Sequence, residues 1–416
     1  MPKEVPKKPY SNLFHPHKTW ADVILSFLVP YMLPLGKLSS VSTNASNAET
    51  MELVGSLRQT IEKMASSETD ETLKNFLTKA LGDVFRNYAV LQAPIKQDIL
   101  SSVFGFDDAT LASLNNSDDD DDGTAEIRLS VTSLSWGKNG EEDHKVDAAI
   151  DLESLDADVP VLVWFHSGGL CLGNERDDYL YHLLKELKME DKESSSKSLV
   201  VVSVDMRLAP ENPFPAAIID CLSATLFVLE RSSSKSIHIG GVSAGGYCAS
   251  VTALEMHRKF PGKIKSTTII DPMISPYADS ESYLLNSTSS GVCPVEFLRW
   301  GWRSYLSIYE ETEHNRQLID NCKWRNSELW RMCNLLDDVP SDLSGPLASK
   351  FLVSTALACP LHDEGVEFVE KLRSNGATLD HIEARGSHCI ALSQLDIKAR
   401  TDFLEKFKRN VFGSNN

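Results

Sequence analysis

The chain has 416 residues, of which 42% are hydrophobic and 24% are charged, so it can bury the core of one large domain with a smaller attached region. Its formal net charge of −18 argues against a broad basic face that would neutralise phosphates, so we expect no nucleic-acid partner. The 8 cysteines are scattered without a C-x-x-C pair, which favours reduced thiols in a cytoplasmic protein and indicates no zinc site. We expect neither a metal nor a cofactor.

Residues 1–116 predict a helical region, because apolar residues recur there at helical spacing and no strand pattern is present. Within this region, the apolar stretch 20–35 is shorter than a spanning helix and is broken by Pro30 and Pro34. We interpret the stretch as a helix packed on the protein, with peripheral membrane contact or a true anchor as the alternatives. The acidic run at residues 117–123 predicts a solvated loop.

Over residues 124–416 strands alternate with helices, which predicts a doubly wound α/β domain with a mostly parallel sheet. Runs that are apolar on both faces suit buried parallel strands. The predicted parallel strands are residues 159–165, 199–204, 237–242, 267–270, 351–357 and 379–384. The predicted helices are residues 177–189, 216–229, 245–260 and 364–374. Segments 126–136 and 145–152 predict an antiparallel hairpin, and segment 272–346 a helical insertion near the site.

A serine lies in a tight, glycine-flanked motif that follows one of these predicted strands. The motif reads G-V-S-A-G at residues 241–245 and leads into a predicted helix. A strand, a sharp turn and a helix form the context of a nucleophile elbow, in which the turn presents the serine hydroxyl at a helix N-terminus. The flanking glycines avoid clashes in so tight a turn. The pattern therefore predicts Ser243 as a nucleophile.

A second glycine-rich segment follows the predicted strand at residues 159–165. It reads H-S-G-G at residues 166–169, with Gly173 four residues later. Glycines at such a position let backbone N–H groups turn inward, where they can stabilise an oxyanion. An ordinary glycine-rich loop after a strand is the structural alternative, and this segment alone leaves both interpretations open.

A third segment, residues 205–217, reads D-M-R-L-A-P-E-N-P-F-P-A-A, and its prolines predict a fixed loop. In this order, the three segments resemble the hormone-sensitive-lipase family of α/β-hydrolase serine esterases, whose motifs are H-G-G-G, Y-R-L-A-P-E-x-P-F-P-A-A and G-D-S-A-G-G. The resemblance covers about residues 125–411. It implies an α/β-hydrolase fold, an N-terminal helical cap made by residues 1–116, and hydrolysis of small apolar acyl esters.

The same resemblance implies roles for individual residues by their positions in the family motifs. Ser243 would be the nucleophile, and His388, in the loop after the last predicted strand, would be its general base. A serine hydroxyl is a weak nucleophile at its free pKa and needs such a base. The backbone N–H groups of Gly168, Gly169 and Ala244 would hold the oxyanion.

The acid of the triad departs from the family pattern, because Cys359 occupies the position of the family aspartate. A thiol with a pKa of about 8.5 is largely neutral at pH 7 and stabilises an imidazolium poorly. Two carboxylates are alternatives: Asp363, which otherwise suits the start of the following helix, and Asp271, at the end of a predicted strand. Ser167 and Val242 also depart from the family motifs, although neither change removes a named catalytic atom.

Two functions are therefore compatible with the sequence. The first is a serine esterase with a weakened or rerouted acid. Trp300, Trp302 and Tyr305 of the insertion are candidates to line its acyl pocket, and packing in the helix core is the alternative role for each of them. The second is a weakly catalytic or non-catalytic, receptor-like protein that binds a small molecule on the same fold. The missing family acid favours the second function, whereas the retained serine and histidine favour the first.

Overall fold

The computed structural model describes most of the chain from residue 89 onward. The described residues are 89–113, 126–136, 151–190, 197–286, 293–308, 315–389 and 396–413. The predicted helical region up to residue 88, with its apolar stretch 20–35, lies outside them, as do the acidic loop 117–123 and residues 145–150 of the predicted hairpin. Among the helices of the described stretches, none combines the length and apolar character that a membrane crossing requires.

Eight strands of the described residues form one sheet, in the order β1-β2-β4-β3-β5-β6-β7-β8. The strands are β1 (Ala89–Pro94), β2 (Glu126–Trp136), β3 (Val161–Phe165), β4 (Lys197–Val204), β5 (Ile237–Val242), β6 (Ile264–Ile270), β7 (Lys350–Ala356) and β8 (Leu379–Ala384). β2 pairs antiparallel with β1 and with β4, whereas the other neighbours pair in parallel. The mostly parallel sheet that the apolar runs predicted is therefore confirmed.

Helices follow most of the parallel strands and flank the sheet. In the described residues they are α1 (Gln97–Ser102), α2 (Asp108–Ser113), α3 (Asp178–Glu190), α4 (Ala216–Arg231), α5 (Ala244–Lys259), α6 (Glu281–Leu285), α7 (Val295–Tyr305), α8 (Asn315–Asp320), α9 (Trp330–Cys333), α10 (His362–Ser374) and α11 (Ile397–Phe412). α5 packs against β3, β5 and β6, and α11 packs against β6, β7 and β8. α6 to α9 lie in the segment between β6 and β7, at the position of the predicted insertion.

One expectation for the N-terminal region is wrong. Residues 89–94 form β1, an edge strand, although no strand was predicted within residues 1–116. Buried Ala89 and Ala93 alternate with exposed neighbours, so a period of two is present. Alanine has low strand propensity and the strand is short, so the pattern is weak without its partner β2. The predicted hairpin also ends differently, since Leu152 begins a short 3₁₀ helix.

A buried carboxylate holds the proline-rich loop between β4 and α4. Asp220 on α4 is fully buried and accepts a hydrogen bond from the backbone N–H of Arg207 at 2.8 Å. The guanidinium of Arg207 donates to the same carboxylate from Nε at 3.0 Å and from Nη2 at 2.7 Å. Burial raises the pKa of Asp220, and the positive charge and hydrogen bonds of Arg207 oppose that rise.

This loop also joins two neighbouring segments through backbone hydrogen bonds. Ala209 donates its N–H to the carbonyl of Leu170 at 2.9 Å, in the glycine-rich loop after β3. Phe214 donates its N–H to the carbonyl of Tyr305 at 2.7 Å, at the end of α7. The proline-rich loop therefore supports both the glycine-rich loop and the insertion, which is the structural role that its prolines predicted.

Replacing the buried carboxylate, Asp220→Ala, should lower the free energy of unfolding by about 3 kcal/mol, because the Arg207 guanidinium keeps its charge and loses its hydrogen bonds to this carboxylate. Asp279→Ala is the matched control, since the Arg316–Asp279 pair is 61% and 37% exposed. We expect the control to change stability by less than about 0.5 kcal/mol. Denaturant unfolding measures both values, and losses of equal size would contradict the assigned role of Asp220.

Candidate active site

Ser243 occupies a sharp turn between β5 and α5, as the motif predicted. Its backbone has φ 59° and ψ −118°, a conformation that L-residues adopt rarely. Its N–H donates to the carbonyl of Ile270 at 2.8 Å, and its carbonyl accepts from the N–H of Met273 at 3.2 Å. Such backbone strain persists only where the surroundings impose it, and it is concentrated at functional sites. These bonds tie the elbow to the carboxyl end of β6.

Two glycines make the elbow possible because no side chain would fit at their positions. A Cβ on Gly241 would lie 2.2 Å from the carbonyl oxygen of Gly245. A Cβ on Gly245 would lie 2.0 Å from the carbonyl oxygen of Phe165 and 2.6 Å from that of His166. The elbow therefore packs directly against the end of β3, where the glycine-rich loop begins.

Glycine is required at two positions of the glycine-rich loop after β3. Gly168 and Gly169 have φ values of 120° and 63°, and a Cβ on Gly168 would lie 2.0 Å from the carbonyl oxygen of Leu172. Within the described residues, the N–H groups of Gly168, Gly169 and Ala244 have no hydrogen-bond acceptor. Ser167, where the family has glycine, has no positive φ, so a side chain is tolerated there.

Helix α7 of the insertion lies against this loop. A Cβ on Gly169 would lie 2.6 Å from the ring of Phe297, and a Cβ on Gly301 would lie 2.5 Å from the carbonyl oxygen of Gly169. Trp300 stacks on Phe297 with ring centroids 6.0 Å apart. The face of α7 that carries these residues therefore forms a wall beside the glycine-rich loop.

Two of the predicted pocket residues lie elsewhere. Trp302 and Tyr305 are fully buried and pack edge-on against Tyr247 of α5, with centroid distances of 5.1 and 6.1 Å. Their spacing along α7 places them on the core face of the helix. Trp300 instead stacks on Phe297, whose ring lies beside Gly169. Aromatic composition had indicated the helix, but not which of its faces lies beside the site.

His388 lies in the loop after β8 and is 9% exposed. Its Nδ1 is 3.2 Å from Cys359 Sγ and 3.9 Å from Asp271 Oδ2. Burial lowers the pKa of His388 to about 4, so its ring is neutral at pH 7. Both contacts use Nδ1, and among the hydrogen bonds of the described residues none joins His388 to the Ser243 hydroxyl. In many hydrolases that bond tightens only in the substrate complex.

Asp271 is the first residue after β6 and is 2% exposed. Its Oδ2 accepts a hydrogen bond from the N–H of Cys389 at 2.5 Å, whereas its buried Oδ1 has no partner of good geometry in the described chain. Burial raises the pKa of Asp271 to about 7, although the amides of Cys389 and Ala356 favour its charged form. The carboxylate thus lies beside the imidazole of His388, next to the elbow.

Cys359, at the family's acid position, does contact the histidine. It is fully buried, and burial raises the pKa of its thiol well above the ordinary value, so the group is neutral. A neutral thiol can donate to Nδ1 or accept from it, so it selects neither imidazole tautomer. A carboxylate only accepts, and it selects the tautomer with the proton on Nδ1 that leaves Nε2 free to act as a base. Cys359 is therefore the nearer group to Nδ1, whereas Asp271 has the acceptor chemistry that an orienting group needs.

Asp363, the other carboxylate alternative, is directed away from the imidazole of His388. Its Oδ2 accepts from the N–H of Ser282 at 2.7 Å, and its Oδ1 lies 2.9 Å from His362 Nδ1. The hydrogen bond with His362 lowers the pKa of Asp363. The residue lies in the first turn of α10, which is the helix-start role that its position in the sequence suits.

Comparison with known proteins supports this architecture. Residues 162–391, more than half of the chain, match the family described as alpha/beta hydrolase fold. The chain is 28% identical over 268 residues to the carboxylic ester hydrolase LipN of Mycobacterium tuberculosis, covering 61% of this chain and 62% of that protein. It is 33% identical over 169 residues to the probable carboxylesterase 6 of Arabidopsis thaliana, covering 38% and 48%. The chain thus spans about half to three fifths of the length of these curated relatives.

A solved structure agrees on the fold. The hyperthermophilic esterase of the archaeon Pyrobaculum calidifontis superimposes with a TM-score of 0.59 at 18% sequence identity, covering 94% of this chain and 97% of that one. At this identity the likeness concerns the fold alone. The sheet order, the matched residues and these relatives together identify the chain as a member of the α/β-hydrolase family, in its group resembling hormone-sensitive lipase.

Proposed function

We propose that this protein is a carboxylic ester hydrolase that acts through an acyl-enzyme on Ser243. The observation that carries the proposal is the assembly, at one edge of the sheet, of the strained elbow serine, three free amide donors and a neutral histidine. The names of the curated relatives, which are ester hydrolases, support the same reaction class.

In this mechanism, the Ser243 hydroxyl attacks the ester carbonyl while Nε2 of His388 takes the hydroxyl proton. The carbonyl oxygen becomes an oxyanion, which the N–H groups of Gly168, Gly169 and Ala244 stabilise. The imidazolium then protonates the departing alkoxide, which leaves as an alcohol. Water repeats the sequence on the acyl-enzyme, giving the carboxylic acid and the free serine.

Asp271 takes the role of the triad acid in this proposal. Its Oδ2 is 3.9 Å from His388 Nδ1. A hydrogen bond from the Cys389 amide to the same oxygen holds the carboxylate against the loop that carries His388. A movement of under about 1 Å would bring these atoms to hydrogen-bond distance. Cys359 fills the space on the other side of Nδ1 as a neutral packing group.

The substrate is proposed to be a small ester with an apolar acyl group. Phe297 and Trp300 present aromatic surface beside Gly169, and burial of an apolar chain against such surface stabilises a bound substrate.

The sequence is also compatible with a receptor-like function. The neutral thiol at the family's acid position is the observation that favours it.

Ser243→Ala should reduce the hydrolysis of p-nitrophenyl acetate and butyrate by roughly 10⁴-fold or more, because the nucleophile is lost. Ser250→Ala is the matched control: Ser250 lies two turns further along α5 and is bonded to the Gly246 carbonyl at 2.7 Å. It should keep activity within about threefold, since a neutral hydrogen bond contributes only about 1 kcal/mol. Equal rates in all three proteins would favour the receptor-like alternative.

The choice of acid is tested by comparing Asp271→Asn with Cys359→Ala. An asparagine can hold the wrong imidazole tautomer, so we expect Asp271→Asn to lower kcat by about 10³- to 10⁴-fold. Cys359→Ala removes only a neutral contact, and we expect less than about tenfold loss, mainly through packing. The reverse order of the two effects would assign the orienting role to Cys359.

The pH profile should report the same carboxylate. Activity requires neutral His388, whose pKa of about 4 sets a lower limit, and ionised Asp271, whose pKa is about 7. We therefore expect kcat/KM to fall as pH decreases through about 7, since protonated Asp271 no longer accepts a bond from Nδ1. In Asp271→Asn the residual activity should decline only near pH 4, where His388 becomes protonated. The rate of Ser243→Ala at each pH is subtracted as the background. An unshifted profile in that variant contradicts the role of Asp271.

A further inference from the structure

Three side chains of different chemistry converge beside the elbow. A carboxylate oxygen of Asp271, a ring nitrogen of His388 and the sulfur of Cys389 all lie within 4.8 Å of one another. The set was not visible in the sequence, because Asp271 is far from the other two residues along the chain and no metal-binding spacing links them. The parallel sheet brings the end of β6 next to the histidine loop.

The surroundings of these atoms fit a bound cation. Asp271 is 2% exposed, and its Oδ1 is a buried oxygen without a hydrogen-bond partner of good geometry in the described chain. The amide of Ala356 offsets part of the cost of burying this carboxylate, and a cation at the oxygen without a well-aligned hydrogen bond would offset more. The neighbouring His388 ring uses only Nδ1 in its contacts with side chains of the described residues.

The donor set selects the class of metal. One nitrogen, one sulfur and one oxygen donor suit Zn²⁺, whereas Mg²⁺ and Ca²⁺ prefer oxygen ligands alone. Ligands of a tetrahedral zinc ion lie roughly 3.4–3.6 Å apart, as follows from zinc–ligand bonds of about 2.0–2.3 Å. The observed Nδ1–Oδ2 distance of 3.9 Å and the 4.8 Å limit need only small side-chain shifts to reach that spacing.

We propose that Asp271, His388 and Cys389 form a Zn²⁺ site, and that zinc bound there inhibits the esterase. The inhibition, but not the binding of zinc, rests on the proposed function. The zinc ion accepts lone pairs from a neutral ring nitrogen, from the carboxylate and from the sulfur, and the thiol proton of Cys389 is released to solvent. Zinc on Nδ1 leaves the ring proton on Nε2, and zinc on Nε2 occupies the base directly. Either way His388 can no longer take the proton of Ser243.

Zinc binding is measured first without any ester. The full chain competes with a chromophoric chelator for Zn²⁺, and Cys389→Ala should bind at least tenfold more weakly at this site. Cys322→Ala is the matched control, since both cysteines are free and partly exposed and Cys322 lies outside the site. It should bind zinc as the unmodified protein does. Ser243→Ala should also keep its affinity, because Ser243 supplies no ligand.

A second measurement uses the unmodified protein, so it does not depend on the folding of a variant. Zn²⁺ should slow alkylation of Cys389 by iodoacetamide at least tenfold, as followed by peptide mass spectrometry, and should leave alkylation of Cys322 unchanged. Equal zinc affinity in Cys389→Ala and the unmodified protein, or equal alkylation of Cys389 with and without zinc, overturns the site.

Ester hydrolysis then separates this inference from the proposed function. Zn²⁺ should inhibit the hydrolysis of p-nitrophenyl butyrate, and a chelator should restore the rate. Zinc binding that depends on Cys389, in a protein without esterase activity, would keep the metal site and remove the proposed function. Active protein whose rate and Cys389 alkylation ignore zinc would keep the function and remove the metal site.

Discussion

The close approach of the elbow to the end of β3 is the constraint on which the site depends. Only hydrogen atoms at the Cα positions of Gly241 and Gly245 leave room for the neighbouring carbonyl groups, one of which belongs to Phe165. With the turn held there, Ser243 bonds through its backbone to Ile270 and Met273, on either side of Asp271. Backbone packing and backbone hydrogen bonds therefore fix the relative positions of Ser243, the glycine-rich loop and the Asp271 backbone.

The position of the acid follows from the same parallel sheet. β6 and β7 are neighbours, and Asp271 donates its N–H to the carbonyl of Ser354 on β7 at 2.8 Å. Because neighbouring parallel strands end at one edge, a group at the end of either strand can reach the loop that carries His388. Cys359, after β7, is 3.2 Å from Nδ1, and Asp271, after β6, is 3.9 Å from it. A thiol at one strand end and a carboxylate at the next therefore both lie near the same imidazole nitrogen.

Much of the fold could be predicted because its strands are apolar on both faces. β5 and β8 begin and end at the predicted residues, and β5 is buried along its whole length. β1 could not be predicted, because an alanine-rich edge strand is recognisable only beside its partner. β6 was predicted too short, since exposed Lys265 interrupts the apolar run near its start.

The site was predictable where its residues are adjacent in sequence and less so where they meet through the fold. The turn at Ser243 and the positive φ values at Gly168 and Gly169 follow from local motifs. The sequence could not show whether Asp271 or Asp363 lies beside His388, because both are acids near strand ends. Only the structure shows one beside His388 and the other bonded to Ser282.

In the wall of α7 beside Gly169, Trp300 was predicted from the sequence, whereas Phe297 and Gly301 were missed. Phe297 and Gly301 contact the glycine-rich loop, and their spacing of four residues would have placed both on one helix face. Nothing in the sequence indicates what that face touches. The aromatic residues Trp302 and Tyr305 were more conspicuous in the sequence but lie on the core side. Contacts between distant segments, and not residue types, decide which side chains reach the substrate.

Covalent labelling of Ser243 would report whether His388 activates its hydroxyl. An alkyl fluorophosphonate loses fluoride to an activated serine and forms a stable phosphonate ester. We expect a single adduct on the peptide that contains Ser243, and no adduct in His388→Ala of unchanged fold. An unlabelled Ser243 in the folded protein, or equal labelling in both proteins, would contradict the account.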